Sequence, residues 1–220
     1  MVRPRGLDQT QVVELYDGFG SKQDKQKYYE DVALADLLSQ ASFDSARSVA
    51  EFGCGTGRFA EELLSSHLPH DATYWGCDVS NTMLKLTQNR LSHFDGRATL
   101  WKSSGEAVLP LEDESVDRFI STYVLDILSA DEIHAVMSEA RRVLKKDGLL
   151  CLTGLTYGKD FFSQLWTAFW NLRFSLNPKW VGGCRPVALL EFLDGWEVVH
   201  HNVVVASGIS SEVLVARKGK

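Results

Sequence analysis

No uninterrupted apolar run in the chain reaches the roughly 18 residues that a membrane-spanning helix requires. The opening residues MVRPRGLDQTQ contain no apolar stretch of the signal-peptide kind, and Asp8 and Glu14 do not suit a mitochondrial presequence. A cytoplasmic protein without stable membrane insertion is therefore expected. Cysteine is also scarce. Cys54, Cys77, Cys151 and Cys184 form no C-x-x-C pair and follow neither a zinc-site nor a disulfide spacing. They read as reduced, mostly buried thiols of a reducing compartment. The histidines make no ligand set: His200 and His201 are adjacent on a strand and point to opposite faces, while His67 and His70 flank Pro69 at a helix end. No metal is expected. An excess of basic charge is missing as well. Lys and Arg number 23 against 29 Asp and Glu, for a net charge of −6, which argues against a broad grip on nucleic acid. No repeat, low-complexity tract or linker divides the chain, and 220 residues can bury a core without metal or disulfide staples. One domain spanning 1–220 is expected.

What is present is an alternation of strand and helix patterns. Residues 8–40 read as helical with a break at 18–20, the aromatic residues Phe19, Tyr28 and Tyr29 being assigned to the core. From residue 48 onward, strands are expected at 48–52, 73–77, 98–102, 116–122 and 149–155, with helices between them. Ser80 is a natural N-cap. Ser129 and Glu132 form a capping box for a helix carrying Ile133, Val136, Met137, Ala140 and Leu144, with Lys145 and Lys146 in its last turn and Gly148 as its stop. Residues 196–205 and 212–216 read as a late hairpin. Alternation of this kind implies an α/β, doubly wound sheet with helices on both faces. Ligands of such sheets bind beyond the carboxyl ends of the strands. The positions of interest are therefore 53–57, 78–80, 103–106, 123–126 and 156–157, which include Tyr123 on the cofactor side and Tyr157 on the substrate side.

Gly53, Gly55 and Gly57 follow the first strand in VAEFGCGTG and open a helix, with Arg58 where a dinucleotide fingerprint would have its third glycine. Asp78 ends the second strand 21 residues after Gly57, where a carboxylate can accept from both hydroxyls of a ribose.

With VAEFGCGTG, GCDVS, EAVLPLEDESVDRFISTYVLDIL and EARRVLKKDGLL in place, residues 48–155 resemble the class I S-adenosylmethionine-dependent methyltransferases, in particular the small-molecule group of ubiquinone and menaquinone C-methyltransferases. The resemblance implies a Rossmann-like sheet of seven strands, mostly parallel with an antiparallel last strand, and an N-terminal helical lid over 1–45. A cofactor core at 46–156, a substrate-side insertion at 157–194 and a terminal hairpin at 195–220 complete the expected organisation. It implies S-adenosyl-L-methionine as cofactor, held by Glu51 at the methionine end, the three glycines, Asp78 on the ribose, Val79 against adenine, and Ser104, Gly105 and Glu106 at the adenine edge. Tyr16 is the lid residue expected beside the sulfonium. The chain departs from the family at two places: Ser103-Ser104-Gly105-Glu106 replaces G-D-A-E, and Asp126 stands where many relatives carry histidine.

Asp126, after the fourth strand, is the candidate proton acceptor, its alternative being a salt bridge or helix cap. Residues 159–180 form an aromatic-rich helical stretch that includes Trp166. It walls an apolar pocket, packs as core or dimer face, or touches a membrane surface. Arg185 in VGGCRP suits a carboxylate or phosphate of the substrate, or a helix-end salt bridge. The expected activity is methyl transfer to a small, apolar molecule. A phospholipid-headgroup N-methyltransferase, a nicotinamide dinucleotide enzyme and a silent cofactor-binding module acting through a protein partner are the alternatives.

Overall fold

In the computed structural model, which describes residues 6–94 and 96–219, the chain forms one seven-stranded sheet in the order β3-β2-β1-β4-β5-β7-β6. The strands are β1 (Ser48–Phe52), β2 (Thr73–Asp78), β3 (Ala98–Lys102), β4 (Val116–Thr122), β5 (Leu144–Leu155), β6 (Trp196–Ala206) and β7 (Ile209–Lys218). β1 pairs in parallel with both β2 and β4, so the strand order reverses direction at β1 and opens a crevice above its carboxyl end. β7 alone runs against its neighbours, paired antiparallel to β5 and β6. The expected architecture is thus present. Residues 1–5 of the expected lid and residue 220 of the expected hairpin lie outside the described residues.

Period-two alternation sends successive strand residues to opposite cores. Val49, Ile120, Cys151 and Val213 pack on one face with Ala33, Leu34 and Leu37 of α2 (Lys27–Gln40) and Phe59 of α3 (Arg58–Glu62). Ala50, Phe119, Leu150, Leu152 and Leu214 pack on the other with Ile133, Val136, Met137 and Ala140 of α5 (Ala130–Val143). Each central strand is therefore apolar on both faces, as a doubly covered sheet demands. Asn81–Arg90 forms α4, and Ser80 caps it by accepting the Met83 N–H at 3.1 Å.

Two local expectations are corrected. The helix after β4 stops at Val143, and Leu144, Lys145 and Lys146 belong to β5. Leu144 is buried in register with Val116, and Lys145 reaches the Asp117 carboxylate at 2.9 Å, so tertiary pairing overrides their helical propensity. Tyr28 is 58% exposed and not core; its ring makes an edge-to-face contact with Tyr29, which is the buried member of the pair.

Candidate functional site

At the top of β1 the chain turns sharply, and the Gly53 and Cys54 N–H groups both donate to the Cys77 carbonyl at 2.9 and 2.8 Å. Gly53, Gly55 and Gly57 have φ of 82°, 54° and 76°, a region that side chains disfavour. A Cβ at Gly57 would stand 2.7 Å from Thr87 Cγ2, whereas at Gly55 no atom lies within 4 Å, because that position faces an open cleft. The Asp78 carboxylate accepts the Gly55 N–H at 3.0 Å and the Ser80 N–H at 2.8 Å. Burial pushes its pKa up, against those backbone donors. Glu51 is 2% exposed, accepts from the Tyr74 hydroxyl, and is pushed up to about 7 by burial.

The cleft has an empty volume of about 1250 Å³ counted out to its mouth, and Glu51, Gly53, Gly55, Asp78 and Val79 line its floor. Its roof comes from the N-terminal segment. Leu7 and residues Gln9, Val12 and Tyr16 of α1 (Gln9–Phe19) cover one side, and Gln23, Asp24 and Glu30 close the other. Polar contacts tie this roof down. Gln9 donates to the Ser104 carbonyl, Asp17 accepts from Ser80 Oγ, and Asp24 accepts from Thr56 Oγ1 at 2.6 Å and Arg90 at 2.7 Å. Glu30 pairs with Arg58 at 2.9 Å, yet burial still pushes its carboxyl up to about 7. Tyr16 packs edge-on to Phe19 and lies 3.9 Å from Cys184 Sγ.

Several expected site residues line this cleft, namely Tyr16, Glu51, Gly53, Gly55, Asp78, Val79, Gly105 and Tyr123, while Gly57 lies behind the loop against Thr87. Tyr123 holds a left-handed φ of 56° and donates its hydroxyl to Ser211 Oγ at 2.9 Å. Others are placed elsewhere. The 103–106 turn sends Ser103 and Gly105 inward and leaves the Ser104 and Glu106 side chains exposed outside the wall. Asp126 is fully buried behind the cleft, whose wall at this level is Val124, Ile127 and Leu128. Its Oδ2 accepts the Leu155 N–H at 3.2 Å, its Oδ1 has no partner among the described residues, and burial raises its pKa to about 6. In that position the carboxylate does not line the cleft. Arg185 donates to the Leu128 carbonyl, so its guanidinium serves the loop rather than the cleft. Tyr157 is exposed away from the cleft, and Trp166 lines a separate small crevice beside Gly208.

The sequence reading overlooked Gln23, Asp24 and Glu30. A polar run in a helical segment carries no local sign of burial. Gln23 Oε1 is nevertheless buried without a hydrogen-bond partner among the described residues. The cleft therefore combines a carboxylate at a strand end, a loop that is open at Gly55, and a buried acceptor, Gln23 Oε1, without a partner among the described residues. Those groups fit a ligand that brings ribose hydroxyls and an ammonium group. The described residues hold no cluster of metal-ligating side chains.

Residues 49–148 match a family model described as a methyltransferase domain. The chain is 26% identical over 120 residues to the tRNA N(3)-cytidine methyltransferase METTL2 of Gallus gallus, a match covering 53% of this chain and 32% of that protein. It is 33% identical over 127 residues to a malonyl-[acyl-carrier protein] O-methyltransferase of Laribacter hongkongensis, covering 55% and 41%. The chain thus spans less than half the length of these curated relatives. Among solved structures, the [4+2]-cyclase SpnF matches with a TM-score of 0.74 at 16% identity over 98% of both chains. At that identity the likeness shows the fold alone.

Proposed function

We propose that the chain, whose residues 49–148 match a methyltransferase-domain model, is a class I S-adenosylmethionine-dependent methyltransferase that binds S-adenosyl-L-methionine in the roofed cleft and methylates a small, largely apolar molecule. The observation that carries the reading is the Asp78 carboxylate on the Gly55 N–H at 3.0 Å, which puts a ribose acceptor and an open glycine loop in one cleft. Asp78 holds the ribose hydroxyls, Val79 lies against the base, and Gly53 and Gly55 admit the methionine part to bare backbone. Glu51, Glu30 and Gln23 Oε1 supply acceptors for its ammonium group. When bound, the cofactor supplies an electrophilic methyl group on a sulfonium. The protein's own work is to orient the acceptor and exclude water, which suffices for a donor of that strength.

The apolar character of the acceptor is supported by Leu7, Val12, Ile127 and Leu128 on the roof and wall. A phospholipid headgroup is the weaker reading, because Arg185, its intended phosphate ligand, is engaged with the Leu128 carbonyl. Calorimetry tests the proposal. S-adenosylhomocysteine is expected to bind and NAD to fail. Asp78→Ala is expected to weaken S-adenosylhomocysteine about 10- to 100-fold, as lost charge-assisted hydrogen bonds imply. Tight NAD binding with no response to S-adenosylhomocysteine overturns the reading.

A further inference from the structure

Helix α6 (Phe161–Leu176) begins at a capping box, with Asp160 accepting the Ser163 N–H at 2.9 Å. It docks on the fold through one narrow stripe. Ser163 and Phe174 are buried, Thr167 and Trp170 are half-buried between them, and the Trp170 indole donates to the Cys184 carbonyl at 3.0 Å. These positions recur at helical spacing and account for one side only. The opposite side is as apolar as a core face yet stands in water. Phe161 is 74% exposed and Phe162 78%, and Leu165, Phe169, Leu172 and Trp180 are exposed with them. None of these six lines the cofactor cleft. A continuous apolar face of this kind marks an interaction site.

Charge identifies what covers it. The chain as a whole is acidic, at −6, yet residues 161–190 contain no Asp or Glu. The exposed charges of the stretch are Arg173 and Lys179. The Arg173 guanidinium lies 5.6 Å from the Phe169 ring and 5.8 Å from the Trp180 ring, so positive charge is embedded in the aromatic surface itself. A second copy meeting this face would bring like charges together with no acid in the stretch to pair them. Trp and Phe on one side of a helix with basic residues among them suit the headgroup layer of a bilayer, where long basic side chains reach anionic phosphates. No described helix is long and apolar enough to cross a membrane. We infer that α6 and the turn to Trp180 dock this protein on a lipid surface bearing anionic headgroups, lying in the plane of the interface. The inference is independent of the methyl-transfer reading. The docking face adjoins the cleft roof, because the turn after α6 places Cys184 3.9 Å from the Tyr16 hydroxyl.

Flotation of the full chain with vesicles tests it, using phosphatidylcholine alone and phosphatidylcholine with one-third phosphatidylglycerol. Binding to the anionic vesicles is expected, with a blue shift of tryptophan emission, and is expected to weaken at high salt. The triple variant Phe161→Ser, Phe162→Ser, Leu165→Ser removes side chains that touch water, so it keeps its fold by circular dichroism and loses at least tenfold in vesicle binding. Arg173→Gln with Lys179→Gln is expected to cost about fivefold for each charge removed. A chain that stays in solution with both vesicle types overturns the inference, and so does equal binding to both. A dimer in sedimentation equilibrium that the triple variant dissociates, with no vesicle binding by the parent, assigns the face to a second copy instead.

Discussion

The Asp126 carboxylate is fully buried, and its Oδ1 has no hydrogen-bond partner among the described residues. Burial raises its pKa from 3.8 to about 6. Between those values the folded chain keeps a proton that the unfolded chain has lost, so stability present at acid pH disappears as pH rises through 6. A shift of that size corresponds to about 2–3 kcal/mol. Asp126→Asn removes the ionisation. Its unfolding free energy relative to the parent is therefore expected to rise by about that amount between pH 4 and pH 8, measured by urea denaturation. Parallel pH profiles would show that Asp126 does not titrate in this range. Because the cleft wall stands between Asp126 and any ligand, turnover of the variant is expected to stay within about threefold of the parent, below the effect of losing a positioned proton acceptor. Asp126 is in this reading a positioning residue. Its side chain holds the end of β5 and its backbone carbonyl accepts the Arg185 N–H at 3.0 Å, which together anchor the 182–186 loop.

Among the elements, α1 and the 3-10 segment after it behave as a cover clasped at separate points. Asp17 engages Ser80 Oγ and the Thr82 N–H at the start of α4, and Asp24 engages Arg90 near its end, so one helix carries both clasps. Hydrogen bonding depresses the pKa of Asp17, and the Arg90 and Thr56 contacts do so for Asp24 despite its burial. No residue of α1 is itself buried, so tertiary packing alone gives the helix little hold. Replacing both acids with Ala is expected to raise amide hydrogen exchange across α1 while leaving β1, β4 and β5 protected. It is also expected to weaken S-adenosylhomocysteine about 3- to 30-fold through faster release, since one or two charge-assisted contacts are lost. Unchanged exchange in α1 would mean that the apolar contacts of Leu7, Val12 and Tyr16 hold the cover by themselves.

At the scale of the molecule, the N-terminal helices, the sheet and the terminal hairpin share cores. Tyr29 of α2 packs with Leu155 of β5 and Ile209 of β7, and Leu34 and Leu37 join the cluster that contains Val213. A single cooperative melting transition is expected, as for one domain. A ligand bound between sheet and lid stabilises that whole unit. S-adenosylhomocysteine at 100 times its dissociation constant is expected to add about 2.7 kcal/mol and raise the midpoint by about 5–10 °C without splitting the transition. Two separated transitions, only one of them ligand-dependent, would divide the chain into independent units.

Most elements and the floor of the cleft are legible in the amino-acid order, the boundary between α5 and β5 excepted. Gly55 and Asp78 are legible because they sit at strand ends, and a strand end is a local pattern with a fixed place in a doubly wound sheet. Ser129 and Glu132, and Ser80, declare their helix starts for the same reason: a cap is satisfied within four residues. Which side chains face the cleft is settled by tertiary packing instead. Asp126 and Ile127 are adjacent in sequence, yet one is sealed behind the wall and the other forms it. Glu30 reaches the cleft because α2 packs on β5, β6 and β7, more than a hundred residues away along the chain, and Gln23 because the 3-10 segment before α2 packs on α4. The aromatic side of α6 reads in sequence like a pocket wall, and only packing shows that it faces out. Periodicity assigns a helix two sides, but the neighbours that cover each side come from elsewhere in the chain.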